Sequence, residues 1–346
     1  MDPIFTQPTL VGSISPTTSH TLSFLFTTSY VGSLYLSQKF LPISPRSSRS
    51  NTPKISNTPE NKNVLPPAIS PISSTDQDDI NYNKGPKPGS RDHPETIKKR
   101  MIAVTISTIL SLSGVYLTIN NLSPSYSISI SKSITLLGLR LPPLKNNLIN
   151  NLLPFTLAPI LMTGPLYSTY LDDELPIFRN KYYGENLWDG IKRSWRSFGL
   201  IEFRNYIVGP ITEELVFRST ILSVSILGGI PFKSLVFATP LWFGVAHAHH
   251  ALETYRKNGS TRNAAIHAIL SCLFQLSYTT LFGWFASYIY LKTGSVIPSL
   301  TSHIFCNVMG IYLPTLAVAR HPKRKIQIWT SYLAGIAGFV WGLSRL

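Results

Sequence analysis

The chain has 346 residues, 44% of them hydrophobic and only 14% charged, with a mean hydropathy of +0.12. Ordinary globular chains carry roughly 25% charged residues, so the balance argues for an integral membrane protein with a polar insert rather than a soluble domain. The net charge of +15 comes with no RNA-binding signature and no basic stripe interleaved with aromatics; Lys and Arg flanking membrane spans account for it better than nucleic acid does.

The first apolar run, Thr21–Leu41, is rich in Ser and Thr and has no basic stretch before it, so it reads as a first transmembrane helix rather than a signal peptide. From Pro42 to Arg100 the composition turns to Pro, Ser, Asn and charge. Such a segment cannot bury enough apolar surface to offset its ordering entropy, and a disordered loop is expected. Apolar runs long enough to span a bilayer then recur at Met101–Leu122, Asn147–Tyr167, Phe198–Leu227, Pro231–His249, Ala264–Leu291, Val296–Ala317 and Ile326–Leu343.

The expectation is an all-α, polytopic membrane protein, a bundle of about eight transmembrane helices. It divides into an N-terminal segment 1–41, a polar loop 42–100 and a multi-span core 101–346. The third of the later spans contains Val208–Gly209–Pro210, which predicts a kink or the start of a shorter helix. Basic residues cluster in alternate connections: Arg179 to Arg196, Arg256 to Arg262, and Arg320 to Lys325. By the positive-inside rule those face the cytosol, with both termini on the other side. The two cysteines, Cys272 and Cys306, form no CxxC pair, which argues against a disulfide framework or a cysteine-based zinc site.

Ionisable groups at membrane depth cost several kcal/mol, so they face a cavity or a partner. Three clusters qualify. In "EELVFR", Glu214 and Arg218 are i,i+4 and can pair, while Glu213 is turned roughly 100° away and lacks a local cation, as a general base would. In "FGVAHAHH", Phe243 and His247 share a face; His249 and His250 fall at the expected helix end. In "SHIFCN", His303 and Asn307 are i,i+4 and offer two convergent donors, which suits an oxyanion hole, although helix–helix hydrogen bonding is the plainer use of such residues.

Two chemistries fit. A zinc ion could be held by Glu213, His247 and His303, although HExxH is absent. Alternatively Glu213 activates water with help from His247, and His303 and Asn307 stabilise the oxyanion. The metal-free scheme uses more of the polar set and is preferred. A Cys306–His303 nucleophile pair has little support, because nothing in the sequence orients the histidine.

The three motifs, EExxxR at Glu213–Arg218, FxxxH at Phe243–His247 and HxxxN at His303–Asn307, occur in this order in a known family. From about Asn147 to Leu316 the chain resembles the type II CAAX prenyl endopeptidases, the Ras-converting enzymes, and its wording is most like that of eukaryotic, fungal members. The resemblance implies an eight-helix bundle in the endoplasmic reticulum membrane with a cavity open to cytosol and lipid. It implies removal of the last three residues from prenylated CaaX proteins, such as Ras-like GTPases or lipidated peptide pheromones, with no resident cofactor. It also implies catalytic roles for Glu213, His247, His303 and Asn307, with Glu214, Arg218 and Phe243 in support. A non-proteolytic scaffold or immunity-type member of the wider group remains a different reading, and a proton-coupled transporter ranks last for want of matched broken helices.

Overall fold

The computed structural model describes residues 13–40, 90–122, 126–144, 147–179, 184–242, 254–255 and 258–346. Every regular element among them is helical; the one strand-like feature is an isolated bridge between Leu175 and Phe178. Phe243, His247, His249 and His250 lie outside the described residues, as does most of the expected 42–100 loop.

The N-terminal helix runs Pro16–Phe40 and begins earlier than its apolar run. Ser15 accepts the Thr18 N–H (3.0 Å) and Pro16 follows with its φ already set, so the start is fixed by a cap rather than by hydropathy. The next helix, Pro94–Leu122, likewise starts seven residues before the expected Met101. Its polar first turns, with Pro94 leading and Glu95 near the positive end of the helix, are ordered, so the expected loop is corrected over its last residues. The apolar run marks what can meet lipid; the helix is longer than that run.

Among the described residues, four segments are long and apolar enough to cross a membrane: Pro94–Leu122, Arg262–Thr293, Ile297–Arg320, which is two helices joined through 310–313, and Pro322–Arg345. The other expected spans fall short for identifiable reasons. Pro16–Phe40 is diluted by Ser and Thr. The run from Asn147 divides at Met162 into Leu148–Leu161 and Thr163–Leu171, with Pro154, Pro159 and Pro165 removing backbone donors. The expected Pro231–His249 helix is interrupted: Phe232–Phe237 ends in a turn at 238–240 that contains Pro240. Two helices were not anticipated, Tyr126–Leu136 and the amphipathic Leu187–Arg196, which exposes Trp188 and Trp195.

Large apolar side chains stand exposed along the spanning helices, among them Ile106, Leu110, Leu270, Phe274, Leu333 and Val340. In a soluble protein such patches would be a liability; in a bilayer they meet acyl chains. The interior is built from close helix contacts. Pro16–Phe40 lies against Pro94–Leu122 and the Glu213-bearing segment, burying Phe26, Tyr30, Val115, Ile119, Phe217 and Ile221 together. Lys325–Arg345 packs on Leu148–Leu161 through glycines. A Cβ at Gly335 would sit 2.8 Å from the Leu161 carbonyl oxygen, and one at Gly342 would sit 2.5 Å from Leu157 Cδ2. Small residues let the two backbones approach, as membrane helix interfaces require.

Candidate active site

The segment Leu200–Leu227 is a continuous helical run in five stretches. Two π-helical turns, Arg204–Val208 and Leu215–Thr220, flank an α-helical stretch Gly209–Glu214 that carries both glutamates. The expected kink at Pro210 is thus expressed as a π turn. Its origin is local. Gly209 N–H reaches back five residues to the Arg204 carbonyl, and in that register Pro210 should serve Asn205 but has no N–H to give. The Asn205 carbonyl is served instead from another helix: Asn307 Nδ2 donates to it at 3.0 Å.

Glu214 is fully buried and carries the centre of the cluster. Its Oε1 lies 3.1 Å from Arg218 Nη1 and 2.7 Å from His303 Nδ1, and Arg218 is itself buried. The i,i+4 pair expected from sequence is therefore present, with His303 as an added partner. The other ring nitrogen, Nε2, faces Glu213 Oε2 at 3.6 Å. One imidazole thus bridges the two adjacent glutamates through opposite nitrogens. Glu213 is the more open of the two, at 26% side-chain exposure against none for Glu214. Phe282 closes one side, its ring 4.9 Å from that of His303 and 5.5 Å from the Arg218 guanidinium.

His303 and Asn307 sit one turn apart on the helix Ile297–Met309, as the HxxxN spacing predicts. That helix ends at Gly310, whose φ of 67° is in the region that favours glycine, so Asn307 falls in the last turn. An Asn side chain has two N–H groups; one is held by the Asn205 carbonyl and the second is left for another acceptor. Asn307 also lines a cavity of about 150 Å³ together with Thr169, Glu174, Tyr206 and Tyr312. Just beyond it, Tyr312 and Arg320 donate to Asp172 Oδ2 (2.6 and 2.8 Å), and His321 Nε2 meets Oδ1 at 2.6 Å. Burial opposes ionisation of Asp172, but the hydrogen bonds from Tyr312, His321 and Arg320 outweigh it and hold the carboxyl below its ordinary range.

The structure therefore brings together Glu213, Glu214, Arg218 and His303, and sets Asn307 one turn away. His247 and Phe243 lie outside the described residues, and Cys306 is a free, partly buried thiol. Of the residues that could hold a metal, Glu213 and His303 face each other; among the described residues no third His, Cys, Asp or Glu completes a metal-binding group with them. Sequence reasoning missed Asn205, Phe282 and Tyr30. Tyr30 Oη lies 3.0 Å from Thr212 Oγ1, next to Glu213, and ties the N-terminal helix to the site. A proline five residues after Asn205 is the one signal that pointed to a carbonyl needing an outside donor.

Residues 195–309, which include all three motifs, match the family model for type II CAAX prenyl endopeptidases, Rce1-like. The chain is 34% identical over 266 residues to human CAAX prenyl protease 2, covering 74% of this chain and 73% of the human one. It is 31% identical to CAAX prenyl protease 2 of Saccharomyces cerevisiae, over 66% of this chain and 74% of the yeast one, and 39% identical to that of Arabidopsis thaliana over 40% and 42%. No solved structure matches. With charged residues gathered at the depth of apolar helices, and with this extent of shared sequence, the chain belongs to the Rce1-like type II CAAX prenyl endopeptidases, multi-pass membrane enzymes that process the C-termini of CaaX proteins.

Proposed function

We propose that the protein hydrolyses the peptide bond after a prenylated cysteine by a glutamate-activated water. The reading rests above all on one observation, the single His303 ring set between Glu213 and Glu214. Glu213, the more accessible carboxylate, takes a proton from water as the oxygen attacks the scissile carbonyl. The C–N bond then breaks, and Glu213 returns that proton to the leaving amine of the tripeptide. His303 Nε2 and the second Asn307 N–H stabilise the oxyanion. Donation from Nε2 while Nδ1 donates to Glu214 takes the imidazolium form of His303. Glu214, held by Arg218, fixes the ring, and His247 positions the water, as the resemblance implies.

Substrate arrives through lipid, because each buried CH₂ of its isoprenoid contributes about 0.8 kcal/mol. The reaction still needs water at that depth, which is why a polar group of this kind interrupts apolar helices. The full arrangement is a bundle of about eight transmembrane helices in the endoplasmic reticulum membrane, with the basic loops in the cytosol. Its substrates are prenylated CaaX proteins, including Ras-like GTPases and lipidated peptide pheromones.

The test is cleavage of a farnesylated CaaX peptide by the purified wild type and Glu213→Gln, each with and without a strong zinc chelator. The expected result is cleavage by the wild type in both conditions and a loss of about 10²- to 10⁴-fold in the variant. Cleavage abolished by chelator and restored by zinc would replace the glutamate scheme with a zinc site. Absence of cleavage by folded wild type would favour a non-proteolytic role.

A further inference from the structure

The short helix Leu187–Arg196 lies outside the apolar spans, and at ~100° per residue its side chains sort into three faces. One face docks on the protein. Gly190 is buried so closely that a Cβ there would collide with the Ile177 carbonyl. Ser194 Oγ donates to the Pro176 carbonyl, and Arg193 Nη2 donates to the same oxygen at 3.2 Å. Glu185 holds Arg193 in a fork of 2.8 and 3.0 Å. A second face carries Leu187, Trp188, Ile191 and Trp195, all exposed, within an arc of about 100°. The third carries Lys192 and Arg196, both exposed, with Asp189 beside them.

The position and the chemistry of this helix agree on what covers the apolar face. The loop that receives it follows directly on Asp172, which pairs with Arg320 at 2.8 Å and His321 at 2.6 Å. Those two residues end the helix Pro314–Arg320 just before the last span, whose start carries Lys323, Arg324 and Lys325. Charge gathered so densely at the junction of two apolar helices marks the edge of the hydrocarbon. The docked helix is thus held at a membrane boundary, and the positive-inside rule makes it the cytosolic one. Its composition suits that layer. Trp188 and Trp195 stand near the two ends of the apolar strip, and the cations run along the strip's margin. Lys192 Nζ lies 5.8 Å from the Trp188 ring centre, so charge and ring are presented together.

We infer that Leu187–Arg196 is an in-plane anchor that binds anionic phospholipid of the cytosolic leaflet. Leu187, Trp188, Ile191 and Trp195 enter the boundary between headgroups and acyl chains, and Lys192 and Arg196 take the negative headgroup. Apolar burial fixes the depth; the two cations supply the preference for anionic over zwitterionic lipid. Pro176, whose carbonyl the helix holds, also lines the cavity beside Asn307. The anchor thereby ties one wall of that cavity to the membrane surface. The inference is independent of the proposed role of Glu213.

The experiment is tryptophan quenching in the full-length protein reconstituted into vesicles of fixed phosphatidylcholine and phosphatidylserine content. Bromine is placed near the headgroup end of the acyl chains of one lipid or of the other. The chain has six tryptophans, so the signal of Trp195 is taken as wild type minus Trp195→Phe, and that of Trp188 as wild type minus Trp188→Phe. Both signals should be quenched, and about two- to five-fold more strongly by brominated phosphatidylserine than by brominated phosphatidylcholine. In Lys192→Gln/Arg196→Gln the quenching should persist while the preference falls to one. Signals that neither lipid quenches would mean that protein, such as a second copy of this chain, covers the face, and would overturn the inference. Equal quenching by the two lipids in wild type, or a preference that survives in the double variant, would overturn it as well.

Discussion

Glu214 and Glu213 are neighbours with opposite energetic characters. Glu214 has no exposure, and its Oε1 serves both Arg218 and His303. Removing it leaves a buried guanidinium without its carboxylate, a change that costs about 3–5 kcal/mol. Glu214→Ala should therefore lower the thermal unfolding midpoint in detergent markedly, whereas Glu213→Gln, at a part-exposed position, should unfold close to wild type while losing activity. Equal melting of the two variants would refute the division of labour. At this scale the sequence is informative where partners are four residues apart: the Glu214–Arg218 pair follows from helical spacing alone. The bridge by His303 does not, because it joins residues 89 positions apart and depends on how two helices pack.

The π turns show how an element can be tuned for another element's benefit. Pro210 withholds a donor from Asn205, and the unmet carbonyl becomes the anchor for Asn307. Pro210→Ala restores an N–H that competes for that carbonyl. The expected outcome is a fall in kcat of about ten-fold, equivalent to roughly 1.4 kcal/mol in the transition state, with helix content by circular dichroism unchanged. An Ala variant with full activity would separate the π turn from catalysis. The proline was visible in the sequence, but read by itself it indicates a kink. Its use becomes apparent only with Asn307 opposite. Helix lengths were similarly underread, since caps such as Ser15 and polar first turns such as 94–100 extend helices beyond the apolar runs.

Across the molecule, large apolar side chains fill the interior, Phe26, Tyr30 and Phe217 among them, but at close helix crossings they face outward and small residues face inward, unlike the helices of soluble proteins. The Lys325–Arg345 helix illustrates it, with Val340 and Trp341 exposed and Gly335 and Gly342 against Leu148–Leu161. The neighbours of Gly335 are backbone carbonyls, which cannot rotate aside. Gly335→Leu should force the helices apart and reduce the yield of folded, monodisperse protein on size exclusion, while the lipid-facing Val340→Leu should not. The all-helical, multi-span class was legible from hydropathy, since it reflects solvent preference residue by residue. Division at Met162 and Pro240 was not, because it reflects backbone hydrogen bonding that composition does not carry.

The two π turns also say something about descent. Each corresponds to one extra residue in an otherwise α-helical run, placed on either side of Gly209–Glu214. Relative to the flanking helix, a single-residue insertion turns everything beyond it by roughly 100°, and the second one adds to the first. A deletion of one codon in either turn would relax it to ordinary helix and swing the glutamates away from His303. Homologous enzymes should therefore tolerate substitutions here far more readily than changes in length, and an alignment gap between Arg204 and Thr220 would be a warning that the relative has lost the chemistry.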